Sequence, residues 1–209
     1  MTTPVEPRDA GQAGPVVDLS FPVRGSEIRS DHAYALYAAV SRLVPRWHGL
    51  PGGMAPIRGI DDGRGRRALA GTAWLRFRLP AEHIGLLLPL AGKTLDLHGD
   101  RLFLGVPRVR ALRPAAALVA RLTTIKGFME PEPFRDACAR QLAALGVAGK
   151  LAVGPRGVVR VRDRKVVGFR TLVTELTAEE SIALQEHGLG GRRKLGCGMF
   201  GGARMEAGG

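Results

Sequence analysis

The chain contains little cysteine and no long apolar run. Its 209 residues include two cysteines, Cys138 and Cys197, so we expect neither a disulfide framework nor a cysteine-rich zinc site. The longest apolar stretch, residues 84–91, is too short to span a bilayer. The first residues are polar and lack the charged start and apolar centre of a signal peptide. We therefore expect a cytoplasmic protein without a membrane partner.

Residue patterns typical of metal or nucleophile chemistry are also missing. The acidic residues are scattered, and no H-x-E, H-E-x-x-H or G-x-S-x-G motif occurs. We therefore expect no metal and no cofactor. Aromatic residues make up only 5% of the chain, which argues against recognition by stacking on many single-stranded bases.

Acidic residues are scarce relative to basic ones. The chain has 31 Lys and Arg against 19 Asp and Glu, for a net charge of +12. Residues 1–100 contribute +2 and residues 101–209 contribute +10. An arginine-favouring genome explains the choice of arginine over lysine, but it does not explain the excess of positive charge. No segment combines a basic face with a Trp/Phe/Leu face, so nucleic acid is a better partner than a membrane surface.

Glycine and basic residues are concentrated near the C-terminus, in H-G-L-G-G-R-R-K-L-G-C-G-M-F. Glycine reaches positive φ freely, and successive bare N–H groups can bind phosphate. A Walker loop is excluded because Cys197 and Gly198 stand where Lys and Ser/Thr are required. A flexible basic linker is the alternative. The residues predicted to bind RNA here are Gly188, Gly190, Gly191, Arg192, Arg193, Lys194, Gly196 and Gly198.

The order of apolar patterns predicts an α+β fold of two β-α-β-β-α-β units, each close to the ferredoxin-like pattern. We expect a loose tail at 1–14, one unit at 15–113 and another at 114–209. The predicted strands are 16–23, 68–79, two flanking 98–100, 116–126, 151–153, 157–162, 165–176 and 199–200. The predicted helices are 30–42, 82–91, 131–145 and 177–186, with Ser30 or Asp31 capping the first and a capping box opening the last. The stretch 45–65 is predicted as a Gly/Pro-rich connection.

A second basic cluster lies on the predicted hairpin around Asp163 and Arg164. Arg160 and Arg162 alternate with Val159 and Val161, so they share one face of the strand. Such a row is either a solvated face or a phosphate-contacting surface. The cluster consists of Arg156, Arg160, Arg162, Arg164, Lys165 and Arg170.

Histidine and arginine provide the groups for metal-free RNA cleavage. RNA carries its own nucleophile, the 2′-hydroxyl, so a protein needs only a general base and a cation beside the phosphate. His48 lies in the long connection and His32 at the start of the first helix, close to Arg29. These residues make an endoribonuclease possible.

Both ends of the chain resemble a known family. The loop G-L-G-G-R-R-K-L-G-C-G resembles the C-terminal glycine-rich signature of the RAMP superfamily. The run L-S-F-P-V-R-G-S-E-I-R-S-D-H-A-Y-A-L-Y, from Leu19 to Tyr37, resembles the sixth Cas family, in particular its myxobacterial subtype. This family comprises the endoribonucleases that cut CRISPR repeat RNA.

The resemblance implies two tandem ferredoxin-like units and metal-independent cleavage at the 3′ base of the repeat stem-loop, leaving 2′,3′-cyclic phosphate and 5′-hydroxyl ends. It implies a catalytic histidine at the first helix or in the loop after it, positions that His32 and His48 fit, with Tyr34 and Arg29 as further catalytic residues and Arg29 and Ser30 as phosphate ligands. Of the two histidines we predict His48 as the principal general base and His32 as a supporting residue. Tyr37 is an alternative to Tyr34. Because no lysine lies between His48 and Lys93, Arg58 or Arg29 would supply the cation.

The implied partners are CRISPR repeat RNA, the mature CRISPR RNA and other Cas subunits of a type I effector complex. Two alternatives remain. One is a non-catalytic RNA-binding subunit of such a complex, and the other is a basic RNA-binding protein of ribosome assembly.

Overall fold

The computed structural model describes residues 14–69, 71 and 73–203. The predicted tail at 1–14 falls almost entirely outside this part. The fold is α+β, as predicted. The helices in the described part are α1 Ala33–Leu43, α2 Ile84–Leu87, α3 Pro131–Ala144 and α4 Ala178–His187.

The N-terminal half is organised around a six-stranded antiparallel sheet. Its strands and those of a small neighbouring sheet are β1 Val16–Arg24, β2 Glu27–Arg29, β3 Gly53–Ala55, β4 Ile60–Asp61, β5 Arg66–Ala68, β6 Ala73–Pro80, β7 Thr94–Leu97, β8 Asp100–Leu104 and β9 Arg108–Ala111. The main sheet has the order β3-β6-β1-β8-β7, and β9 also pairs with β1. The small sheet has the order β2-β5-β4.

Alternating apolar residues place the N-terminal core on one face of the main sheet. Leu19 and Phe21 of β1 and Phe77 of β6 are fully buried against α1. Trp47 lies edge-on to Phe77, with ring centroids 5.2 Å apart. Because Trp47 is buried, it anchors the chain that follows α1 to this core.

The C-terminal half contains a four-stranded antiparallel sheet. Its strands are β10 Leu118–Thr123, β11 Lys150–Val161, β12 Arg164–Thr174 and β13 Gly201–Gly202, in the order β11-β12-β10-β13. Phe134 of α3 and Phe169 of β12 pack at 4.7 Å in its core. The predicted capping box of α4 is present, since Thr177 and Glu180 bond each other's backbone N–H groups.

The two halves meet in a third apolar cluster and through one buried cation. Ala33 of α1 joins Leu122, Val159, Leu195 and Cys197 of the C-terminal half in this cluster. The buried Arg78 of β6 donates to the carbonyls of Gln185 and Phe200. The orientation of the halves is therefore set by packing and by a hydrogen-bonded charge.

Several predicted elements differ from the structure. The first helix begins at Ala33 with His32 at its N-cap and no side-chain cap, so neither Ser30 nor Asp31 caps it. The Ser30 hydroxyl bonds Asp61. The predicted strand 68–79 is replaced by β5 and β6, which belong to separate sheets. The predicted helix 82–91 consists of α2 between two 3-10 turns, the second beginning at Leu88-Pro89. The last strand is at 201–202 rather than 199–200.

The 45–65 connection is only partly irregular. It contains a 3-10 helix, Pro45–Gly49, and the short strands β3 and β4. A single-turn helix and strands of two or three residues give too short a pattern to be found by periodicity.

Candidate active site and nucleic-acid interface

His48 lies on the 3-10 helix Pro45–Gly49, directly after the buried Trp47. Its side chain is exposed, and its Nδ1 is hydrogen-bonded to the hydroxyl of Tyr37. Tyr34 and Tyr37 are three residues apart on α1 and therefore lie on the same helix face, with ring centroids 6.5 Å apart. The structure thus brings His48 next to both tyrosines.

A groove of about 640 Å³ runs between these tyrosines and the tip of the β11–β12 hairpin. Arg162 at the tip donates from Nε to the Tyr34 hydroxyl at 2.9 Å, and this hydrogen bond raises the pKa of the guanidinium. Its backbone is left-handed, with φ 54°. The groove is lined by Tyr34, Tyr37, Val161, Arg162, Asp163 and Arg164.

His32 has a different environment from His48. It is 4% exposed, its Nδ1 is 2.8 Å from the carbonyl of Arg29, and its Nε2 accepts from the N–H of Ile57 at 3.0 Å. This arrangement requires the neutral tautomer with hydrogen on Nδ1. Burial lowers the pKa of His32. Its role as a catalytic residue stays a prediction, and this geometry weighs against proton transfer by its ring because both nitrogens already bond the main chain.

Arg29 and Ser30 lie beside His32 on the wall of the cleft between the two halves. Arg29 is exposed, and its backbone N–H donates to Asp100 at 3.1 Å. The Ser30 hydroxyl lies 2.8 Å from the Asp61 carboxylate. A phosphate offers only acceptors, so Ser30 would have to give up this bond to donate to one. The predicted phosphate contact of Ser30 is untested.

The cleft is strongly basic. It has a volume of about 1360 Å³, and its lining includes ten arginine or lysine residues but only three aspartates. Burial in the cleft lowers the pKa of Arg76 and that of Arg121. The positive charge of the nearby Arg67 lowers the pKa of Arg121 further. Concentrated positive charge in a concave surface favours an anionic ligand.

The predicted basic hairpin is present and all six of its cations are exposed. Arg160 lies 3.7 Å from Asp31 across the cleft, and Arg162 contacts Tyr34 as described. The hairpin is one long pair of strands, because the predicted strands at 151–153 and 157–162 merge into β11 through an irregularity between Val153 and Arg156. It extends the basic surface from the cleft to the groove.

The glycines of the C-terminal loop pack against the protein itself. Gly188, Gly190, Gly196 and Gly198 all have positive φ. A Cβ on Gly188 would overlap the backbone of Gly198, and one on Gly190 the backbone of Thr124. A Cβ on Gly196 would overlap the ring of Pro56, and one on Gly198 the backbone of Leu189. Gly191 is exposed with open space around it. Close packing of the loop therefore explains four glycines without a ligand, and their contact with RNA is untested.

The three cations of this loop are in different environments. Arg192 is exposed. Arg193 donates to the carbonyl of Glu186 at 2.6 Å, and burial lowers its pKa to about 10. Lys194 donates to the carbonyls of Trp47, at 2.6 Å, and of His48. Arg192 is therefore the most exposed of the three, and Arg193 and Lys194 are half-buried.

The described residues contain neither a metal-binding cluster nor a membrane-spanning helix. No group of three or more His, Cys, Asp or Glu side chains in ranges 14–69, 71 and 73–203 is arranged to hold a metal ion. None of the helices seen in those ranges is long and apolar enough to cross a membrane.

The comparison with known families identifies the chain. The family model Cas6 Crispr matches residues 17–205. The chain belongs to the Cas6 family. It is 44% identical over 185 residues to the CRISPR-associated endonuclease Cas6 of Myxococcus xanthus (strain DK1622), covering 88% of this chain and 80% of that protein. The predicted family and the predicted class, a CRISPR-associated endonuclease, are confirmed, and the ribosome-assembly interpretation is excluded.

Solved structures support the fold. A CRISPR-associated protein Cas6 matches with a TM-score of 0.63 at 12% identity, over 90% of this chain and 99% of that one. A structure from the characterisation of a Cas6-related gene from Pyrococcus furiosus matches with a TM-score of 0.62 at 14% identity, over 92% of this chain and 100% of that one. At these identities the likeness concerns the fold alone.

Sequence reasoning missed part of the site. It did not identify Arg67, Arg76 or Arg121 as cleft residues. Arg76 alternates with apolar residues on β6, and Arg121 stands between the buried Ala120 and Leu122 on β10. An arginine within a strand of buried residues is a signal that could have identified Arg76 and Arg121.

Proposed function

We propose that this Cas6 protein is a metal-independent endoribonuclease that binds the CRISPR repeat stem-loop and cuts precursor CRISPR RNA at the 3′ base of the stem. The observation that carries the proposal is the contact between Tyr37 and His48 beside the Arg162 groove. These groups suit attack by the RNA's own 2′-hydroxyl, which would leave 2′,3′-cyclic phosphate and 5′-hydroxyl ends.

In the proposed mechanism the Nε2 atom of His48 is the general base. When the neutral ring carries its hydrogen on Nδ1, that N–H donates to the Tyr37 hydroxyl oxygen and the Nε2 lone pair is available. Tyr37 thereby fixes the tautomer and the ring orientation. Its own O–H remains available to donate to a phosphate oxygen. Nε2 accepts the proton of the 2′-hydroxyl as the oxygen attacks phosphorus. The bond between phosphorus and the 5′-oxygen breaks, and that oxygen leaves as a 5′-hydroxyl after taking a proton from solvent, to which the His48 imidazolium returns its own proton.

Arg162 is the proposed cation for the negative charge that develops on the phosphorane. Its Nε bonds Tyr34, which holds a permanently charged guanidinium on the lining of the groove. Arg29 and Arg58 were expected in this role. They line the larger cleft rather than the groove, so we assign them to binding of the RNA backbone.

The RNA path is proposed to follow the basic surface. When only these four strands of each half are numbered in chain order, β3-β6-β1-β8 and β11-β12-β10-β13 have the same order, 2-3-1-4. They support two tandem ferredoxin-like units, divided near residue 113, whose facing surfaces form the basic cleft. The hairpin cations then hold the repeat stem-loop through its phosphates. The other proposed partners are the mature CRISPR RNA and the Cas subunits of a type I effector complex.

The decisive test is cleavage of the repeat RNA from the protein's own genome under single-turnover conditions. His48→Ala should slow cleavage by about 100-fold or more, since general-base catalysis contributes roughly 10²–10⁴-fold. It should leave binding nearly unchanged. His83→Ala, a half-exposed histidine outside the groove, is the matched control and should cut normally.

Two further arms test the mechanism. Cleavage should continue in excess EDTA. An RNA with hydrogen in place of the single 2′-hydroxyl at the cut should bind but remain intact. A metal requirement or cutting of the deoxy RNA would contradict the mechanism. Normal cleavage by His48→Ala would contradict the base assignment, and tight binding without any cleavage by the wild-type protein would identify a non-catalytic RNA-binding subunit.

A further inference from the structure

Lys194 connects the glycine-rich loop to the residue proposed as general base. It lies 146 positions after His48 in the chain. Its ammonium group donates to the main-chain carbonyls of Trp47 and His48, and it lies 4.9 Å from the centroid of the Trp47 ring. A single side chain therefore contacts the short helix that carries His48 in three ways.

The loop that carries Lys194 is held in place on both sides. Arg192 and Gly196 adopt left-handed φ angles of 60° and 78° around a 3-10 turn. Gly196 packs so closely on Pro56 that a Cβ would overlap the proline ring. On the other side, a Cβ on Gly53 would lie only 2.6 Å from the sulfur of Met199. The loop has little freedom to move relative to β3, which follows the His48 helix.

The His48 helix needs external support. A single 3-10 turn has poor hydrogen-bond geometry, and forming an isolated turn is unfavourable. The last carbonyls of a helix have no partner within the helix and carry partial negative charge, which a cation stabilises. Trp47 anchors one side of this turn in the core, while His48 faces solvent. Lys194 donates to the His48 carbonyl, and it is a second donor to the Trp47 carbonyl, which also accepts from the N–H of Leu50.

We infer that Lys194 is a positioning residue, which holds the main chain at Trp47 and His48 so that the imidazole meets Tyr37. This inference depends on the proposed function, since it assigns Lys194 to the chemistry of the same site. It also separates Lys194 from Arg192. The exposed Arg192 serves RNA affinity, whereas Lys194 serves the cleavage rate through protein contacts. Partial burial lowers the pKa of the Lys194 ammonium, which fits a half-buried group that contacts protein carbonyls.

The test compares Lys194→Met, which keeps the apolar stem over Trp47 but removes the donors, with Lys194→Arg, which restores them. Lys93→Met is the matched control, because Lys93 is an exposed lysine outside the site. We expect Lys194→Met to lower the single-turnover rate roughly 10- to 100-fold, as expected for a misplaced catalytic group. The dissociation constant for the non-cleavable 2′-deoxy repeat RNA should change by less than about twofold, because the head group faces protein carbonyls rather than the RNA. Lys194→Arg should recover at least part of the rate.

A second measurement needs no RNA. The ring resonances of His48, followed by NMR as a function of pH, report its tautomer and its contact with Tyr37. In Lys194→Met they should move toward those of Tyr37→Phe, and in Lys93→Met they should stay as in the wild type. If His48→Ala cleaves normally, the assignment of His48 as general base fails, while these spectra still decide whether Lys194 positions the ring.

Two results would contradict the positioning role of Lys194. An unchanged rate and unchanged His48 resonances in Lys194→Met would overturn the inference. A normal rate at saturating RNA with weakened binding would make Lys194 a phosphate ligand instead. Circular dichroism must show that each variant folds. If Lys194→Met does not fold, Lys194→Gln, which keeps an amide donor, takes its place with a smaller expected loss of rate.

Discussion

Arg78 should be the most sensitive single position for the stability of this protein. Its side chain is 3% exposed. Nε and Nη2 donate to the two oxygens of Asp18 at 2.8 and 3.0 Å. Nη1 donates to the carbonyls of Gln185 at 3.1 Å and Phe200 at 2.5 Å. Arg78→Met would fill much of the volume but remove every one of these donors.

The expected loss of stability in Arg78→Met comes from the Asp18 carboxylate, which the substitution leaves without its buried partner. Removing one partner of a buried ion pair destabilises a protein by about 3 to 5 kcal/mol. The Asp18 side chain is 15% exposed and lies 3.9 Å from Arg76, so the loss of stability should be near the lower end of this range, about 3 kcal/mol. Since total stabilities are about 5 to 15 kcal/mol, this loss is a large fraction. The cost of Asp18→Asn should be much smaller in the Arg78→Met background than in the wild type.

Urea unfolding followed by two probes would measure this. The two tryptophans, Trp47 and Trp74, both lie in the N-terminal half, whereas far-UV circular dichroism reports both halves. Arg78→Met should lower the unfolding midpoint and separate the two transitions, because the buried link between the halves is removed. Arg135→Met, an exposed arginine on α3, should stay within about 0.5 kcal/mol of the wild type. A loss below about 1 kcal/mol for Arg78→Met, with coincident transitions, would refute the reasoning.

Three other predictions follow from the site. Since burial lowers the pKa of His32 below its ordinary 6.5, the unfolded chain takes up a proton first as the pH falls. The stability that His32 contributes is therefore complete above about pH 6.5 and is lost at lower pH. Measured by urea unfolding at pH 7 and pH 5, His32→Asn should show a smaller loss on acidification than the wild type, and an equal loss would count against the buried neutral ring. Gly198→Ala should destabilise the protein and slow cleavage, because a Cβ would overlap the Leu189 backbone; unchanged melting temperature and rate would show that the loop adapts. Replacing the exposed Arg164 and Lys165 together by Gln should reduce the slope of log K against log salt by about 0.7 to 0.9 for each phosphate that the variant no longer neutralises, with the cleavage rate at saturation retained; an unchanged slope would mean that these cations are only solvated.

Elements with a strong local signal were predictable from the sequence. The capping box at Thr177 starts α4 as predicted, because its two hydrogen bonds are made within four residues. The β11–β12 hairpin was predicted from the alternation of valine and arginine at residues 159–162 and from the apolar strand pattern that follows Asp163 and Arg164. The concentration of basic and glycine residues in the C-terminal half pointed to RNA, since charge and glycine content need no knowledge of packing. The signatures at both ends indicated the family.

Only the tertiary structure decided which of these residues meet. The local sequence does not show which of the two histidines is buried. In the structure His32 is buried and bonds the N–H of Ile57, whereas His48 is exposed beside Tyr37. Lys194 was predicted to bind RNA with its neighbours, which stays untested; the structure adds that its ammonium group contacts carbonyls 146 and 147 residues away. Sequence patterns report the conformation and the buried face of a segment, because these depend on nearby side chains. The partner of a charged head group depends on how separate segments pack, and here that packing brings the C-terminal loop against the His48 helix.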